Sequence, residues 1–201
     1  DSSSTDGWVQ ETPEYGFNLF TIEASSFNHG GTRQMMLDRV APAADIVIFM
    51  TQDAILADPG SLATLLQAFR DPAIAAACGR QIPHPEAKPY AKFTRLYNYG
   101  QVSCRKQLAD KARLGLRTCF LSNAYAAYRV SDLLAVGGFP DPCDYGEDMF
   151  AAGKLLLEGK TIVYVAESRV YHSHDYTLAE EFLRYRAMGE FHAREPWIEA
   201  E

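Results

Sequence analysis

Apolar residues along the chain follow two spacings in turn, which predicts strands that alternate with helices. Continuous apolar runs rich in β-branched or small residues are typical of buried strands. Such runs, together with one more mixed run near the start, predict strands at 15–25, 44–50, 73–82 and 118–130, and one or two strands within 161–174.

Other segments repeat apolar residues at helical spacing, often behind a capping residue or before a glycine. They predict helices at 32–40, from the cap Asp58 to Phe69, at 131–137, at 148–159 and at 177–195, and an irregular helix at 91–108. The strand at 44–50 has the composition of a central parallel strand that is buried on both faces. The alternation predicts an α/β domain with a mixed, mostly parallel sheet, and we expect a single domain over residues 1–201.

Composition narrows the classes of partner. The chain has 201 residues and a net charge of −7, and no cluster of basic residues interrupts this acidity. Proteins that bind nucleic acid normally carry a basic face, so a nucleic-acid partner is disfavoured. No apolar run reaches the ~18–20 residues of a membrane span. Four cysteines without Cys-x-x-Cys spacing indicate free thiols in a reducing compartment such as the cytoplasm.

The apolar run at 44–50 ends abruptly in Thr51, Gln52 and Asp53. In open α/β sheets, ligands bind beyond the carboxyl ends of the strands, which is where Asp53 is expected. Its carboxylate is either an ordinary turn residue or a ligand of Mg²⁺ or Mn²⁺, ions that bind hard oxygen atoms.

A second pair of acids, Glu147 and Asp148, stands at the predicted start of a helix. Acids are common there because they interact favourably with the helix dipole. The alternative is a general base: we expect a carboxylate at this position to stay ionised at neutral pH and to accept a proton from a hydroxyl group.

Two further segments carry candidate chemistry. In a strand, His172 and His174 would point to the same face, where they are either metal ligands or an ordinary polar strand end. Gly30 and Gly31 precede a helix, as in a phosphate-binding turn, but they lack the GxGxxG spacing and also suit a plain junction. Arg33 would pair with a nucleotide or with a neighbouring acid.

The order of these motifs resembles that of the inverting family 2 glycosyltransferases of GT-A fold. The motifs are, in order, "DSSSTDG", "NHGGTRQ", "TQDA", "GGFPDPCDYGEDMF" and "VYHSH". The stretches "SNAYAAYRVSDLLAVGGFP" and "YHSHDYTLAEEFLRYRAMGEFHARE" look most like those of the bacterial rhamnosyltransferases. The resemblance covers essentially the whole chain and implies a Rossmann-like nucleotide-diphospho-sugar transferase fold.

The resemblance also implies a role for each candidate residue. Asp148 matches the catalytic base and Glu147 stands beside it. Asp53 matches the last acid of the metal-binding Asp-x-Asp motif, and His174, or as second choice His172, completes that site with Mg²⁺ or Mn²⁺. Two further residues match positions at the nucleotide. Asp1 matches the acidic residue that contacts the nucleobase, and Arg33 matches the basic residue of the second motif, which lies near the nucleotide.

The implied donor is dTDP-L-rhamnose, and the implied acceptor is a glycan or a lipid-linked glycan. The protein would then work in the cytoplasm, with peripheral contact at the inner face of the cell membrane. The aromatic and basic stretch 90–113 would face the acceptor or form an ordinary amphipathic helix.

The sequence departs from the family pattern at two points. Thr51 replaces the first acid of Asp-x-Asp, and no apolar strand precedes "DSSSTDG". We therefore expect an N-terminally truncated fragment whose sheet lacks its first strand. The loss of one metal-binding charge leaves an alternative open, namely an inactive module that binds nucleotide sugar or glycan. A metal-dependent phosphohydrolase would use the same acids but fits the motif order less well.

Overall fold

The computed structural model describes residues 1–5, 7, 9 and 12–200. Asp6, which belongs to the "DSSSTDG" motif, lies outside the described residues. The strands are β1 (Ile46–Met50), β2 (Ile55–Leu56), β3 (Ile74–Ile82), β4 (Cys104–Lys106), β5 (Tyr125–Arg129) and β6 (Thr161–Tyr171). The helices are α1 (His29–Val40), α2 (Ser61–Gln67), α3 (Pro89–Asn98), α4 (Lys111–Leu114), α5 (Val130–Ala135), α6 (Glu147–Leu157), α7 (Leu178–Arg194) and α8 (Trp197–Ala200).

The six strands form one mixed sheet in the order β1-β5-β3-β6-β2, with β4 paired to β6 outside this path. Among the described residues, only β3 and β6 pair in parallel, and the other four strand pairs are antiparallel. The mixed α/β sheet is as predicted, whereas parallel pairing is the minority in this part of the chain. The apolar composition of a strand indicates that it is buried, but it does not determine whether the strand runs parallel or antiparallel to its neighbours.

The sheet is covered on both faces, and this explains why its strands are almost continuously apolar. Successive side chains of a strand point to opposite faces. In β5, Ala126 and Tyr128 pack into one core with α5 and α6, while Tyr125 and Ala127 pack into a second core beneath α2. The central strands β3 and β6 divide their side chains between the two cores in the same way.

The strand β1 is not the buried central strand that its composition predicts. In the described part of the chain it pairs with β5 alone, and its residues 46–49 are only partly buried. Val47 and Phe49 face one core and Ile46 and Ile48 face the other. The side chains of β1 therefore alternate between the two cores. They are only partly buried because, among the described residues, β1 has a neighbouring strand on one side alone.

Several predicted elements differ from the structure. The strand predicted at 118–130 is present only at Tyr125–Arg129, because Gly115–Cys119 form a 3-10 helix. Residues 16–23 contain no strand, because this exposed segment has no strand partner among the described residues. The predicted helix 91–108 breaks after Asn98, and Cys104–Lys106 instead pairs with β6, an example of tertiary contacts overriding local propensity. Asp58 does not cap a helix: its carboxylate accepts a hydrogen bond from Gly60 N in a turn, and α2 begins at Ser61.

Candidate active site

Three strands of the sheet run in the same direction although most neighbours are antiparallel. Both β1 and β3 are antiparallel to β5, so they are parallel to each other, and β3 is parallel to β6. The carboxyl ends of β1, β3 and β6 therefore lie at one edge of the sheet. This direction brings Asp53, which follows β1, towards His172 and His174, which follow β6.

The first group of candidate residues is Asp53, His172 and His174. The Nε2 atom of His172 lies 3.4 Å from Asp53 Oδ2, and Nδ1 of His174 lies 3.6 Å from the same oxygen. Each of the three residues offers one possible ligand atom, and these three atoms lie within 4.8 Å of one another. Both histidines lie just beyond β6, which ends at Tyr171, and not within a strand as predicted. His172 and His174 lie at similar distances from Asp53, so the geometry does not rank His174 above His172.

Burial keeps the two imidazoles neutral, which is the form that binds a metal ion. Burial lowers the pKa of His172 to about 4, against the opposing effect of the nearby Asp53 carboxylate. Burial also lowers the pKa of His174. Partial burial raises the pKa of Asp53, but the Thr51 hydroxyl and the two imidazoles outweigh it, so the pKa lies below its usual value. At neutral pH the group therefore offers one carboxylate and two neutral nitrogen ligands.

Thr51 lies beside this group. Its Oγ1 atom is buried and completes no hydrogen bond of regular geometry among the described residues, although it is close enough to lower the pKa of Asp53. A buried hydroxyl normally finds a partner. The residues present fit Mg²⁺ or Mn²⁺, because a carboxylate and two neutral imidazoles offer ligand atoms within 4.8 Å of one another.

The second group surrounds the start of α6. Glu147 is buried, and its Oε1 atom accepts hydrogen bonds from Arg33 Nη1 at 2.8 Å and from Asn123 Nδ2 at 3.0 Å. Asp148 remains partly exposed, and its Oδ2 atom accepts a hydrogen bond from the backbone N–H of Asn123 at 3.2 Å. The charge of Glu147 is thus paired with that of Arg33, while the carboxylate of Asp148 accepts hydrogen bonds from backbone N–H groups.

Asp148 does not behave as an ordinary carboxylate at a helix start. Burial, followed by the charge of Glu147, raises the pKa of Asp148 to about 7. The backbone N–H groups of Asn123 and Met149 and the guanidinium of Arg33 oppose this rise without cancelling it. The expectation of a fully ionised carboxylate at neutral pH is therefore wrong, because desolvation and a like charge outweigh the favourable dipole.

The loop before β5 contacts the second group directly and is linked to the first group through Gln81 and Thr51. Ser122 bonds to Gln81, whose side chain contacts His172, and the next residue, Asn123, contacts Glu147 and Asp148. The backbone oxygen of Ala124 accepts a hydrogen bond from Thr51 N at 3.3 Å. Sequence analysis missed Asn123 and Gln81, since neither has a distinctive spacing from the acids or histidines that it contacts.

The glycine pair does not form an open phosphate-binding turn. Asn28 caps α1 through a hydrogen bond to Gly31 N at 2.7 Å, and Gly30 N bonds to Cys143 O at 2.7 Å. A Cβ atom on Gly30 would lie 1.9 Å from Pro140 O. Both glycines lie in the first turn of α1, which begins at His29 and not at residue 32 as predicted. They allow α1 to pack against the loop that precedes α6, and this contact holds Arg33 against Glu147.

Asp1 and Arg33 line neighbouring recesses. A recess of about 200 Å³ is lined in part by Asp1, Gln52 and Thr32. A second recess of about 550 Å³ runs along β1, and its lining includes Arg33, Thr32, Gln52 and Thr51. Volumes of this order suit small ligands. A third, apolar recess of about 630 Å³ beside Trp197 contains none of the predicted site residues.

Comparison with protein families and curated proteins gives consistent matches. Residues 46–188 match the model described as glycosyl transferase family group 2. The chain is 46% identical over 200 residues to the O-antigen chain rhamnosyltransferase RfbN of Salmonella typhimurium. The match covers 99% of this chain and 63% of that protein, so the chain spans less than two thirds of the length of this relative.

Solved structures share the fold at low identity. The S. aureus protein TarS in complex with UDP-GlcNAc matches with a TM-score of 0.63 and 18% identity over 88% of this chain and 49% of its own. A mannosyltransferase of Pyrobaculum calidifontis in complex with GDP-Man and Mn²⁺ matches with a TM-score of 0.57 and 18% identity, over 86% of this chain and 46% of its own. These likenesses establish the GT-A fold.

Proposed function

The chain belongs to glycosyl transferase family group 2, and from this premise we propose that it transfers a sugar from a nucleotide donor to a hydroxyl group, with inversion at the anomeric carbon. One observation carries the proposal: residues 122–124 contact Asp148, a carboxylate with a raised pKa, and are linked through Gln81 and Thr51 to the Asp53–His172–His174 group. An inverting transfer needs a base and a stabilised leaving group in one site.

Asp148 is the proposed general base. As the acceptor oxygen bonds to the anomeric carbon, the carboxylate of Asp148 takes the hydroxyl proton, and the bond from carbon to the leaving phosphate oxygen breaks. The pKa of about 7 suits this task, because a more basic carboxylate accepts a proton more readily while part of it stays ionised at neutral pH. Arg33 and Asn123 hold Glu147, which sits beside the base and raises its pKa.

Asp53, His172 and His174 are the proposed ligands of a divalent cation, with Mn²⁺ favoured over Mg²⁺. When bound, such an ion neutralises charge that develops on the departing diphosphate. The carboxylate of Asp53 supplies the negative ligand and the neutral imidazoles supply nitrogen. An inactive binding module is less favoured, because Thr51 removes one carboxylate from the motif while His172 and His174 supply two ligands at the same place.

The proposed donor is dTDP-L-rhamnose, and the proposed acceptor is a hydroxyl group of a cell-surface polysaccharide or of its lipid-linked precursor. Support comes from the 46% identity to a protein named O-antigen chain rhamnosyltransferase. The recesses lined by Asp1 and Arg33 offer room for the nucleotide along β1.

We also propose that the protein works in the cytoplasm at the inner face of the membrane. Within the described residues, no helix combines the length and apolarity that crossing a bilayer requires. Contact would instead be peripheral through α3. Its exposed apolar residues are Tyr90, Phe93, Leu96 and Tyr97. The segment 87–109 contains Lys88, Lys92 and Arg95 on or next to this helix and no acid, which suits a surface of anionic lipid.

Donor turnover tests the proposed function. The purified protein is incubated with dTDP-L-rhamnose, UDP-glucose or GDP-mannose, each with Mn²⁺, with Mg²⁺ or with a chelator, and nucleoside diphosphate release is measured. We expect release of dTDP from dTDP-L-rhamnose with Mn²⁺, and its loss with the chelator and in Asp53→Ala. Asp45→Asn, at the opposite end of β1, should retain turnover. Metal-independent release, or no release from any donor, would contradict the proposal.

A further inference from the structure

We infer that Gln81 is a positioning residue that orients His172 and selects the tautomer whose Nε2 atom can bind a cation. This inference rests on the proposed function, because it concerns the same Asp53–His172–His174 group. Gln81 is 2% exposed, and its amide oxygen contacts Nδ1 of His172, whereas it is the Nε2 atom of that ring that faces Asp53.

The side chain of Gln81 connects two fixed points. Its Oε1 atom lies 2.7 Å from Nδ1 of His172, and its Nε2 atom donates a hydrogen bond to Ser122 Oγ at 2.9 Å. The backbone also holds the histidine, since His172 N donates to Ile82 O at 3.0 Å. The parallel register pairs Ile82 with Tyr171, which brings the ends of β3 and β6 side by side.

The chemistry of the amide determines the tautomer. An amide oxygen can only accept a hydrogen bond, so Nδ1 of His172 must carry the proton that fills this contact. The Nε2 atom then keeps its lone pair, and it is this atom that lies 3.4 Å from Asp53 Oδ2. The other end of the amide, Nε2, donates to Ser122 Oγ. Partners that hold the second nitrogen of a ligating histidine commonly set its orientation.

The same contact links the two halves of the site. Ser122 precedes Asn123, which contacts both acids at the start of α6. Gln81 therefore fixes the ring of His172 relative to the loop that also contacts the proposed base, Asp148. His174 has no such support from Gln81, and its ring stacks on Tyr176 at 4.8 Å between centroids. The inference thus assigns different surroundings, and different rigidity, to the two histidines.

Metal binding and tautomer are measured separately on Gln81→Met, Gln81→Glu and the wild-type protein. Free Mn²⁺ is followed by electron paramagnetic resonance in the presence of dTDP, and ¹⁵N chemical shifts of the metal-free protein report which ring nitrogen of His172 carries the proton. Gln81→Met should weaken Mn²⁺ binding by about 10–100-fold and mix the tautomers. Gln81→Glu, which retains an acceptor oxygen, should keep the proton on Nδ1.

Gln107→Met is the matched control. It removes another glutamine that bonds to a side chain, Thr161 Oγ1 at 3.1 Å, and should leave both readouts unchanged. Unchanged affinity and tautomer in Gln81→Met, or a proton on Nε2 in the wild-type protein, would overturn the inference. Absence of Mn²⁺ binding to the wild-type protein would instead overturn the proposed function, since the tautomer can still be measured.

Discussion

Asp148 and Glu147 are adjacent in sequence but differ in their surroundings. Glu147 receives hydrogen bonds from Arg33 and Asn123, whereas Asp148 receives only backbone N–H groups and keeps part of its surface exposed. The like charge of Glu147 and burial then raise the pKa of Asp148 to about 7. Two carboxylates in one turn thus have different surroundings: Glu147 is paired with Arg33, and Asp148, the proposed base, has a raised pKa.

Replacing Asp148 by Asn should remove the proton acceptor and leave the fold in place. We expect sugar transfer to fall by about 10²–10⁴-fold, the usual contribution of a general base. Binding of the nucleoside diphosphate, measured by calorimetry, should stay within a few-fold of the wild-type value. The exposed neighbour Asp144 provides a control through Asp144→Asn. Near-normal transfer by Asp148→Asn would exclude Asp148 as the base.

The pH dependence of transfer follows from the same residue. Because the folded-state pKa of Asp148 is raised to about 7, its carboxyl group is protonated below that pH and cannot accept a proton. The rate should therefore fall as pH decreases through about 7, whereas an ordinary aspartate would hold the rate to about pH 4. A profile of kcat/KM between pH 5 and 9 measures this; a rate that stays flat down to pH 5 is incompatible with the raised pKa.

The elements that carry the site are held by close backbone contacts. α1 packs against the loop before α6 at Gly30, and α6 is preceded by Gly146, which has a φ of 86° that other residues rarely adopt. A side chain at Gly146 would also meet the ring of Phe191 at 2.6 Å. These contacts place Arg33 and Glu147 in reach of each other, although they are 114 residues apart.

The contact at Gly30 can be tested by a pair of Gly→Ala substitutions in helices. In Gly30→Ala the new Cβ atom would lie 1.9 Å from Pro140 O and 2.8 Å from Cys143 Cβ, so the loop must move. We expect a loss of about 1–3 kcal/mol in the free energy of unfolding. Gly189→Ala in α7 meets no atom within 4 Å and should stabilise by about 0.5–1 kcal/mol. Denaturant unfolding measures both; equal effects would show that the contact is loose.

At the scale of the whole molecule, the chemistry is concentrated at one edge of the sheet. The carboxyl ends of β1, β3 and β6 meet there, and α3 follows β3 through a short loop from the same edge. The backbone N of Lys88, just before α3, donates a hydrogen bond to Asp175 at 2.8 Å, one residue beyond His174. This hydrogen bond holds the start of α3, the helix that carries the exposed aromatic residues, next to the proposed metal site.

A membrane-binding measurement tests the role of this surface. The protein is sedimented with vesicles of phosphatidylcholine with and without phosphatidylglycerol. Binding should require the anionic lipid, weaken with salt, and fall about tenfold or more when Phe93 and Tyr97, which stack at 5.8 Å, are both changed to Ser. Leu134→Ser removes an exposed leucine from α5 and should have no effect. Equal binding by the double variant and the wild-type protein would count against membrane contact through α3.

The amino-acid sequence by itself determined which segments are strands and helices in most of the chain, because burial on both faces of a sheet requires the continuous apolar runs seen in β3, β5 and β6. It also singled out Asp53, His172, His174, Glu147 and Asp148, because polar residues that end an apolar run or begin a helix stand out against it. The order of these motifs was enough to identify the family.

Only the tertiary structure decided the strand directions, the edge position of β1 and the partners of each charge. Hydrogen bonds such as Arg33 to Glu147 and Gln81 to His172 join residues about a hundred positions apart. The residues next to each partner in the sequence do not indicate such long-range contacts, nor do they indicate how strands pair. The raised pKa of Asp148 has the same origin. Desolvation and like-charge repulsion depend on what surrounds a carboxylate in space, and the residue type alone does not report it.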